Sequence, residues 1–189
     1  ILGTKYIRIF SFFIPKEDDP AIYRDEVMAR MKAMTALAGK EGVILLHENE
    51  KDIYGDIAVR CKDILDTVDS DNLRAVFDPA NFVQCGQVTY PDAYEMLKDH
   101  VVYMHIKDAL FADSSVVPAG HGDGRVRDIL QALSDRDYDG FLSLEPHLGS
   151  FDGLGDLEVG DEMLSLTKSD AGKFTLAYNS LKKILDDIQ

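Results

Sequence analysis

The chain has 189 residues, of which 46% are hydrophobic, and this suits one domain, residues 1–189, with a sizeable core. The 34 acidic residues outnumber the 20 basic ones and give a net charge of −14, which argues against a nucleic-acid partner because such a surface repels phosphate backbones. No apolar run approaches the ~20 residues of a membrane span, so we expect no membrane partner. The first residues lack the features of a signal peptide, and two cysteines make no disulfide framework, so we expect a cytoplasmic protein.

Five strand-like runs alternate with helix-like segments along the chain. The strand-like runs span residues 5–12, 42–48, 73–78, 101–107 and 140–146. They are nearly continuous in Val, Ile, Leu and Phe, which is typical of parallel strands buried on both faces. The segments with apolar residues at helical spacing span residues 20–42, 52–68, 89–100, 126–137 and 173–188. This alternation predicts a parallel α/β fold.

Acids and one histidine stand at the ends of four of these runs in succession: Glu48, Asp78, His105 and Glu145. Their separations of 30, 27 and 40 residues are near the ~30 residues of one βα unit. Parallel strands would bring all four side chains to one edge of the sheet. In an open sheet they would form a line, and in a closed barrel they would converge on one centre at the carboxyl end of the strands.

Two interpretations of these residues compete. Each could be merely the polar residue with which a strand meets water, and for any single one this is the more common case. Four in succession favour a shared cation, because three carboxylates and an imidazole that converge without one would repel each other. Such a ligand set suits Mn²⁺, Mg²⁺ or Co²⁺, with Zn²⁺ as a further option. The spacing alone does not show that the sheet closes.

Several motifs together resemble those of the xylose isomerase-like TIM-barrel superfamily, and within it the sugar phosphate isomerases and epimerases. They are LHENEKDIYGD, FDPANF, MHIKDA, VPAGHGDG and LSLEPH, and the resemblance covers nearly the whole chain. It implies a TIM (β/α)₈-type barrel in which a Glu, an Asp, a His and a second Glu bind one divalent metal ion. The matching positions are Glu48, Asp78, His105 and Glu145, with Glu50 as the rival of Glu48.

The number of strands departs from that family pattern. The family's barrels have eight strands, whereas this chain shows five strand-like runs, so we expect it to supply the last five βα units and to lack the first three. Three absent strands would leave sheet edges open and core residues exposed. Either the rest of a longer protein or a second copy of the chain, in a homo-oligomer, would have to cover the gap.

Five further residues are candidates for substrate binding. Asn81 follows Asp78 by about one helical turn, and Lys107 shares the alternation of His105, where it could orient a substrate or neutralise the acidic rim. His147 follows Glu145 by two residues, and His121 lies in the glycine-rich loop VPAGHGDG; each of these histidines could equally be structural or solvent-exposed. Arg8 lies within the first run and needs a partner, either a carboxylate of the site or one on the outer face.

The resemblance also implies a reaction on a small-molecule carbohydrate. The metal ion would polarise a carbonyl group, while Glu48 and Glu145 transfer a proton through an enediolate. A divalent-metal-dependent sugar or sugar-phosphate isomerase or epimerase is therefore the leading prediction. A metal-dependent dehydratase of a cyclic polyol or keto acid on the same scaffold is the alternative, and a non-catalytic barrel is the third.

Overall fold

A five-stranded parallel sheet forms the centre of the computed structural model, which describes residues 3–148 and 170–188. In spatial order its strands are β1 (Tyr6–Ile9), β2 (Ile44–Glu48), β3 (Leu73–Phe77), β4 (Val101–Ile106) and β7 (Phe141–Leu144). Every neighbouring pair is parallel, as the sequence predicted. Two short strands, β5 (Asp108–Ala109) and β6 (Val116–Val117), form an antiparallel pair in the connection after β4.

Helices connect successive strands of the sheet, and one more helix follows the last strand. The connecting helices are α1 (Arg24–Lys40), α2 (Ala58–Val68), α3 (Pro79–Gln84), α4 (Tyr94–Leu97) and α5 (Val126–Ser134), and the helix after β7 is α6 (Asp170–Asp187). A 3₁₀ turn (Pro20–Tyr23) precedes α1, and a π-helical turn (Thr89–Ala93) precedes α4. No helix in the described ranges combines the length and the apolar composition that crossing a membrane would require.

The two faces of the sheet carry different side chains. Leu45, Leu73, Ala75, Phe77 and Met104 alternate along three strands and belong to the main buried core, together with residues of α1, α2, α4 and α5. Because side chains alternate across a strand, the intervening residues point to the opposite, concave face. On that face, one cavity is lined by Arg8, Leu46, Val76, Tyr103 and His105.

The sheet is strongly curved. Tyr6 on β1 and Phe141 on β7 lie on its two edge strands, yet their ring centroids are 6.4 Å apart across the concave face. At about 4.8 Å between neighbouring strands, a flat sheet would hold these edges ~19 Å apart. The curvature confirms the predicted barrel-type architecture, of which this chain forms a five-stranded part.

Local structure differs from the sequence prediction at element boundaries. The strands are shorter than the predicted runs; β1, for example, ends at Ile9. Helix α2 begins at Ala58 instead of near residue 52, because Asp52 and Gly55 have positive φ angles that interrupt a helix. The short helix α3 was not predicted. Asp78 caps it by accepting a hydrogen bond from the Asn81 N–H, and Pro79 occupies its first position.

Candidate metal centre and substrate cavity

The carboxyl ends of four strands bring the predicted metal ligands together. Glu48 ends β2, Asp78 follows β3, His105 lies in β4 and Glu145 follows β7. One ligand atom from each lies within 4.8 Å of the other three, and we call this group the strand-end cluster. The structure places Glu48 in it, while Glu50 lies on the wall of the adjoining cavity. That the cluster binds a metal ion stays a prediction.

His105 contacts the carboxylates of the cluster through Nδ1. This atom is 2.9 Å from Glu48 Oε1, 3.7 Å from Glu145 Oε1 and 4.0 Å from Asp78 Oδ2. Burial alone would lower the pKa of His105, but the hydrogen bond with Glu48 and the charges of the three carboxylates outweigh it, so its pKa is raised. The histidine therefore attracts positive charge, either as a proton or as a metal ion in its place.

Two carboxylate oxygens of the cluster have unused hydrogen-bonding capacity. Within the described residues, Glu48 Oε2 and Asp78 Oδ2 are buried and accept no well-aligned hydrogen bond. Each oxygen has a cationic neighbour instead, since Arg8 Nε lies 3.4 Å from Glu48 Oε2 and Lys107 Nζ lies 2.9 Å from Asp78 Oδ2. Burial raises the pKa of Asp78 to about 7, and Lys107 and the Asn81 N–H offset this only in part. Buried carboxylate oxygens with hydrogen-bonding capacity to spare, beside an imidazole, fit a hard divalent cation such as Mg²⁺ or Mn²⁺.

Lys107 pairs with two members of the cluster. Its Nζ lies 2.7 Å from Glu145 Oε2, to which it donates a hydrogen bond, and 2.9 Å from Asp78 Oδ2. Burial would lower the pKa of Lys107, but the two carboxylates raise it overall. Burial would conversely raise the pKa of Glu145, and Lys107 reverses that effect. The ammonium therefore stays charged and keeps Glu145 ionised.

Two buried asparagines support the cluster. The Asn49 amide donates to the Asp78 carbonyl and accepts from the Asp78 N–H, each at 2.9 Å. Asn81 Nδ2 donates to the Asn49 carbonyl at 2.9 Å and lies 3.3 Å from Glu48 Oε1. Asn49 was not predicted from the sequence; the signal that could have identified it is an amide between two glutamates, directly after a buried strand.

A cavity of about 320 Å³ opens next to the cluster. Of the residues predicted for the site, its wall contains Arg8, Glu48, Asn81, Lys107, Glu145 and His147. Arg8 is half-exposed, with Nε 3.4 Å from Glu48 Oε2 and the guanidinium 4.5 Å from the centre of the Phe10 ring. His147 is exposed at the rim. The cavity can hold a small molecule with one end against the cluster.

His121 lies apart from the other predicted residues. It is exposed and does not line this cavity. Partial burial lowers its pKa, and the charge of Lys183 on α6 adds to that effect. The preceding residue, Gly120, lies against α6, because a Cβ atom there would come within 3.0 Å of Ile184 Cδ1. Its role in substrate binding stays a prediction.

Asp108 explains why the loop that contains His121 is rich in glycine. The fully buried carboxylate accepts four backbone N–H groups, those of Ala109, Gly120, Gly122 and Gly124, at 2.8–3.0 Å. A Cβ atom at Gly122 or Gly124 would overlap this carboxylate, so side chains are excluded there. Asp108 was not predicted from the sequence as a functional residue. Its carboxylate attaches the glycine-rich loop to the chain just after β4, one residue beyond Lys107.

Three solved structures resemble this one in fold. A D-tagatose 3-epimerase-like protein superposes with a TM-score of 0.72 at 17% identity, covering 98% of this chain and 63% of that chain. The probable 3-DHS dehydratase AsbF of Bacillus anthracis gives a TM-score of 0.63 at 22% identity, with coverages of 75% and 57%. A xylose isomerase-like TIM barrel protein from Mycobacterium smegmatis, in complex with magnesium, gives 0.65 at 18% identity, with coverages of 98% and 61%.

The chain thus spans less than two thirds of the length of each of these proteins. No curated protein matches it in sequence. The sequence profile described as xylose isomerase-like TIM barrel matches residues 1–166, which is most of the chain. Together with the curved parallel sheet and its helices, this match shows that the chain belongs to the xylose isomerase-like TIM barrel family.

Proposed function

We propose that the protein containing this chain is a divalent-metal-dependent isomerase or epimerase of a sugar or sugar phosphate. The observation that carries the proposal is the strand-end cluster: four ligand atoms from four consecutive sheet strands, within 4.8 Å of one another, beside a cavity of about 320 Å³. The resemblance in fold to a D-tagatose 3-epimerase-like protein and to a magnesium-bound family member supports it.

The cluster residues would hold the cation. Glu48, Asp78 and Glu145 would supply oxygen atoms, and His105 would supply a ring nitrogen. Bound there, the ion would polarise a substrate carbonyl and stabilise negative charge on its oxygen.

Two glutamates would transfer the proton. Glu48 and Glu145 end different strands, β2 and β7, and both line the cavity. One would remove a proton from the carbon next to the carbonyl, and the other would return it to the adjacent carbon or to the opposite face of the enediolate. Lys107 donates a hydrogen bond to Glu145 and keeps it ionised, which a carboxylate must be before it can take up a proton.

Other groups on the cavity wall would hold and orient the substrate. Asn81, Arg8 and His147 would offer hydrogen bonds, and Phe10 would offer an apolar surface for the carbon skeleton.

A dehydratase on the same scaffold is the second candidate. The fold resemblance to a probable 3-DHS dehydratase favours it, since removal of the same proton followed by loss of a neighbouring hydroxide would give a lyase. The cluster and cavity would serve both reactions.

Product analysis separates the two. The full-length protein, loaded with Mn²⁺, is incubated in D₂O with ketoses, ketose phosphates and cyclic polyols, and the products are resolved by chromatography and NMR. An isomerase or epimerase gives a product of unchanged composition with deuterium at the exchanged carbon, whereas a dehydratase gives a product lighter by one water. No turnover of any substrate by the metal-loaded protein contradicts both.

A further inference from the structure

Lys107 is a buried cation among carboxylates that would also face a metal ion. Its side chain is 4% exposed, and its Nζ pairs with one oxygen each of Asp78 and Glu145. Glu145 thereby presents its other oxygen, Oε1, toward His105, at 3.7 Å from Nδ1. The ammonium thus orients a predicted ligand and at the same time adds positive charge beside the cluster.

The charge balance of this buried group favours one class of ion. Three carboxylates and one ammonium leave two negative charges when His105 is neutral, so one divalent cation neutralises the group. A trivalent cation would leave a positive charge buried and uncompensated, which is costly at low dielectric. Arg8 and Lys51 lie on the wall of the adjoining cavity, but the Arg8 side chain is 45% exposed and Lys51 is also exposed, so water screens both charges.

We propose that Lys107 is a positioning residue that makes the strand-end cluster selective for divalent over trivalent cations. The inference rests on the metal site of the proposed function and adds what sets its preference for ionic charge. Without the ammonium, the group would carry three negative charges and would be neutralised by a trivalent ion instead.

The test compares Mn²⁺ with Tb³⁺, which both prefer oxygen ligands, in the full-length protein and its Lys107→Met variant. Methionine keeps a long side chain but removes the charge. Both ions should bind Lys107→Met at least about tenfold more tightly than they bind the parent protein. The affinity for Tb³⁺ should rise by the larger factor, because Coulomb energy scales with the charge of the ion. Isothermal titration calorimetry gives both dissociation constants, and their ratio should shift toward Tb³⁺.

Two further variants separate charge from packing. Lys107→Arg keeps the charge and should keep the preference for Mn²⁺. Lys51→Met removes a charge from an exposed lysine on the wall of the same cavity and should leave the ratio within about twofold, since water screens that charge. If Lys107→Met folds only with metal, the concentrations of Mn²⁺ and Tb³⁺ that restore its circular dichroism give the same ratio.

The outcomes distinguish this inference from the proposed function. An unchanged ratio in Lys107→Met, or weaker binding of both ions, overturns the role of Lys107 while leaving the metal site intact. Failure of the parent protein to bind either ion overturns the metal site itself, and the inference with it.

Discussion

Asn49 and Asp78 are joined by a pair of hydrogen bonds between the ends of neighbouring strands. The Asn49 amide donates to the carbonyl of Asp78 and accepts from its N–H, both at 2.9 Å, and both residues are buried. Asn49 directly follows Glu48, so this pair fixes two members of the strand-end cluster relative to each other.

Replacing Asn49 with Ala should therefore weaken both the fold and the metal site. Two buried hydrogen bonds are lost and the backbone of Asp78 is left unsatisfied, so we expect the free energy of unfolding to fall by about 2–4 kcal/mol. The affinity for Mn²⁺ should fall about tenfold or more, as it does when groups that orient metal ligands are removed. Urea unfolding and calorimetric titration measure the two effects.

Gln87→Ala is the matched control, because its amide makes an exposed hydrogen bond to the Val88 carbonyl. It should change the free energy of unfolding by no more than about 0.5 kcal/mol. Equal changes in the free energy of unfolding for the two substitutions would show that the hydrogen bonds between Asn49 and Asp78 do not stabilise the protein.

Glu145→Gln tests the proton-transfer role. Glutamine keeps an oxygen and nearly the same shape but is not basic, so turnover should fall by about 10²–10⁴-fold while Mn²⁺ is partly retained. Steady-state rates on an identified substrate, together with Mn²⁺ titration, measure both. Glu41→Gln, at the exposed end of α1, is the control and should retain full turnover. Near-normal turnover of Glu145→Gln would exclude Glu145 as the base.

The sequence predicted the parallel sheet and the grouping of the four strand-end residues, because both depend on a repeat of about one βα unit. It did not reveal Asn49 or Asp108. Their roles depend on hydrogen bonds to backbone groups of Asp78, 29 residues away, and of glycines 12–16 residues away, which no local pattern encodes. Nor did it show that the loop carrying His121 lies against α6, since only the folded chain brings Gly120 to Ile184.

Asp108→Asn should loosen the glycine-rich loop. An amide NH₂ replaces one of the two oxygens that accept backbone N–H groups, so about two buried hydrogen bonds are lost and we expect a destabilisation of about 2–4 kcal/mol. Hydrogen exchange should accelerate at the amides of Gly120, Gly122 and Gly124. Asp139→Asn, which removes the same charge at an exposed position, should leave exchange unchanged. Unaltered exchange at those glycines in Asp108→Asn would refute the role of this carboxylate.

His47 should make the stability of the protein depend on pH. It is buried on the outer face of β2, and burial lowers its pKa to about 4. The unfolded chain, with an ordinary histidine pKa of ~6.5, binds the proton first. The contribution of neutral His47 to the free energy of unfolding is therefore complete above about pH 6.5. It is lost as the pH falls toward 4, which lowers the free energy of unfolding by about 3 kcal/mol in total.

The matching variant is His47→Asn, which does not titrate. Burial raises the pKa of Asp78 and of Asp108, so these groups act in the opposite direction, but they are common to both proteins. The difference in free energy of unfolding between parent and variant should accordingly shrink as the pH falls from 6.5 to 4. A difference that stays constant over this range would mean that His47 is not held neutral.

Anomalous scattering from crystals of the full-length protein grown with Mn²⁺ would show whether the strand-end cluster binds a metal ion, because it locates the ion independently of activity. We expect one strong peak at the carboxyl end of the sheet, ~2.0–2.3 Å from Glu48, Asp78, His105 and Glu145. The absence of a peak there at saturating Mn²⁺, or a peak held by other residues, would contradict this expectation.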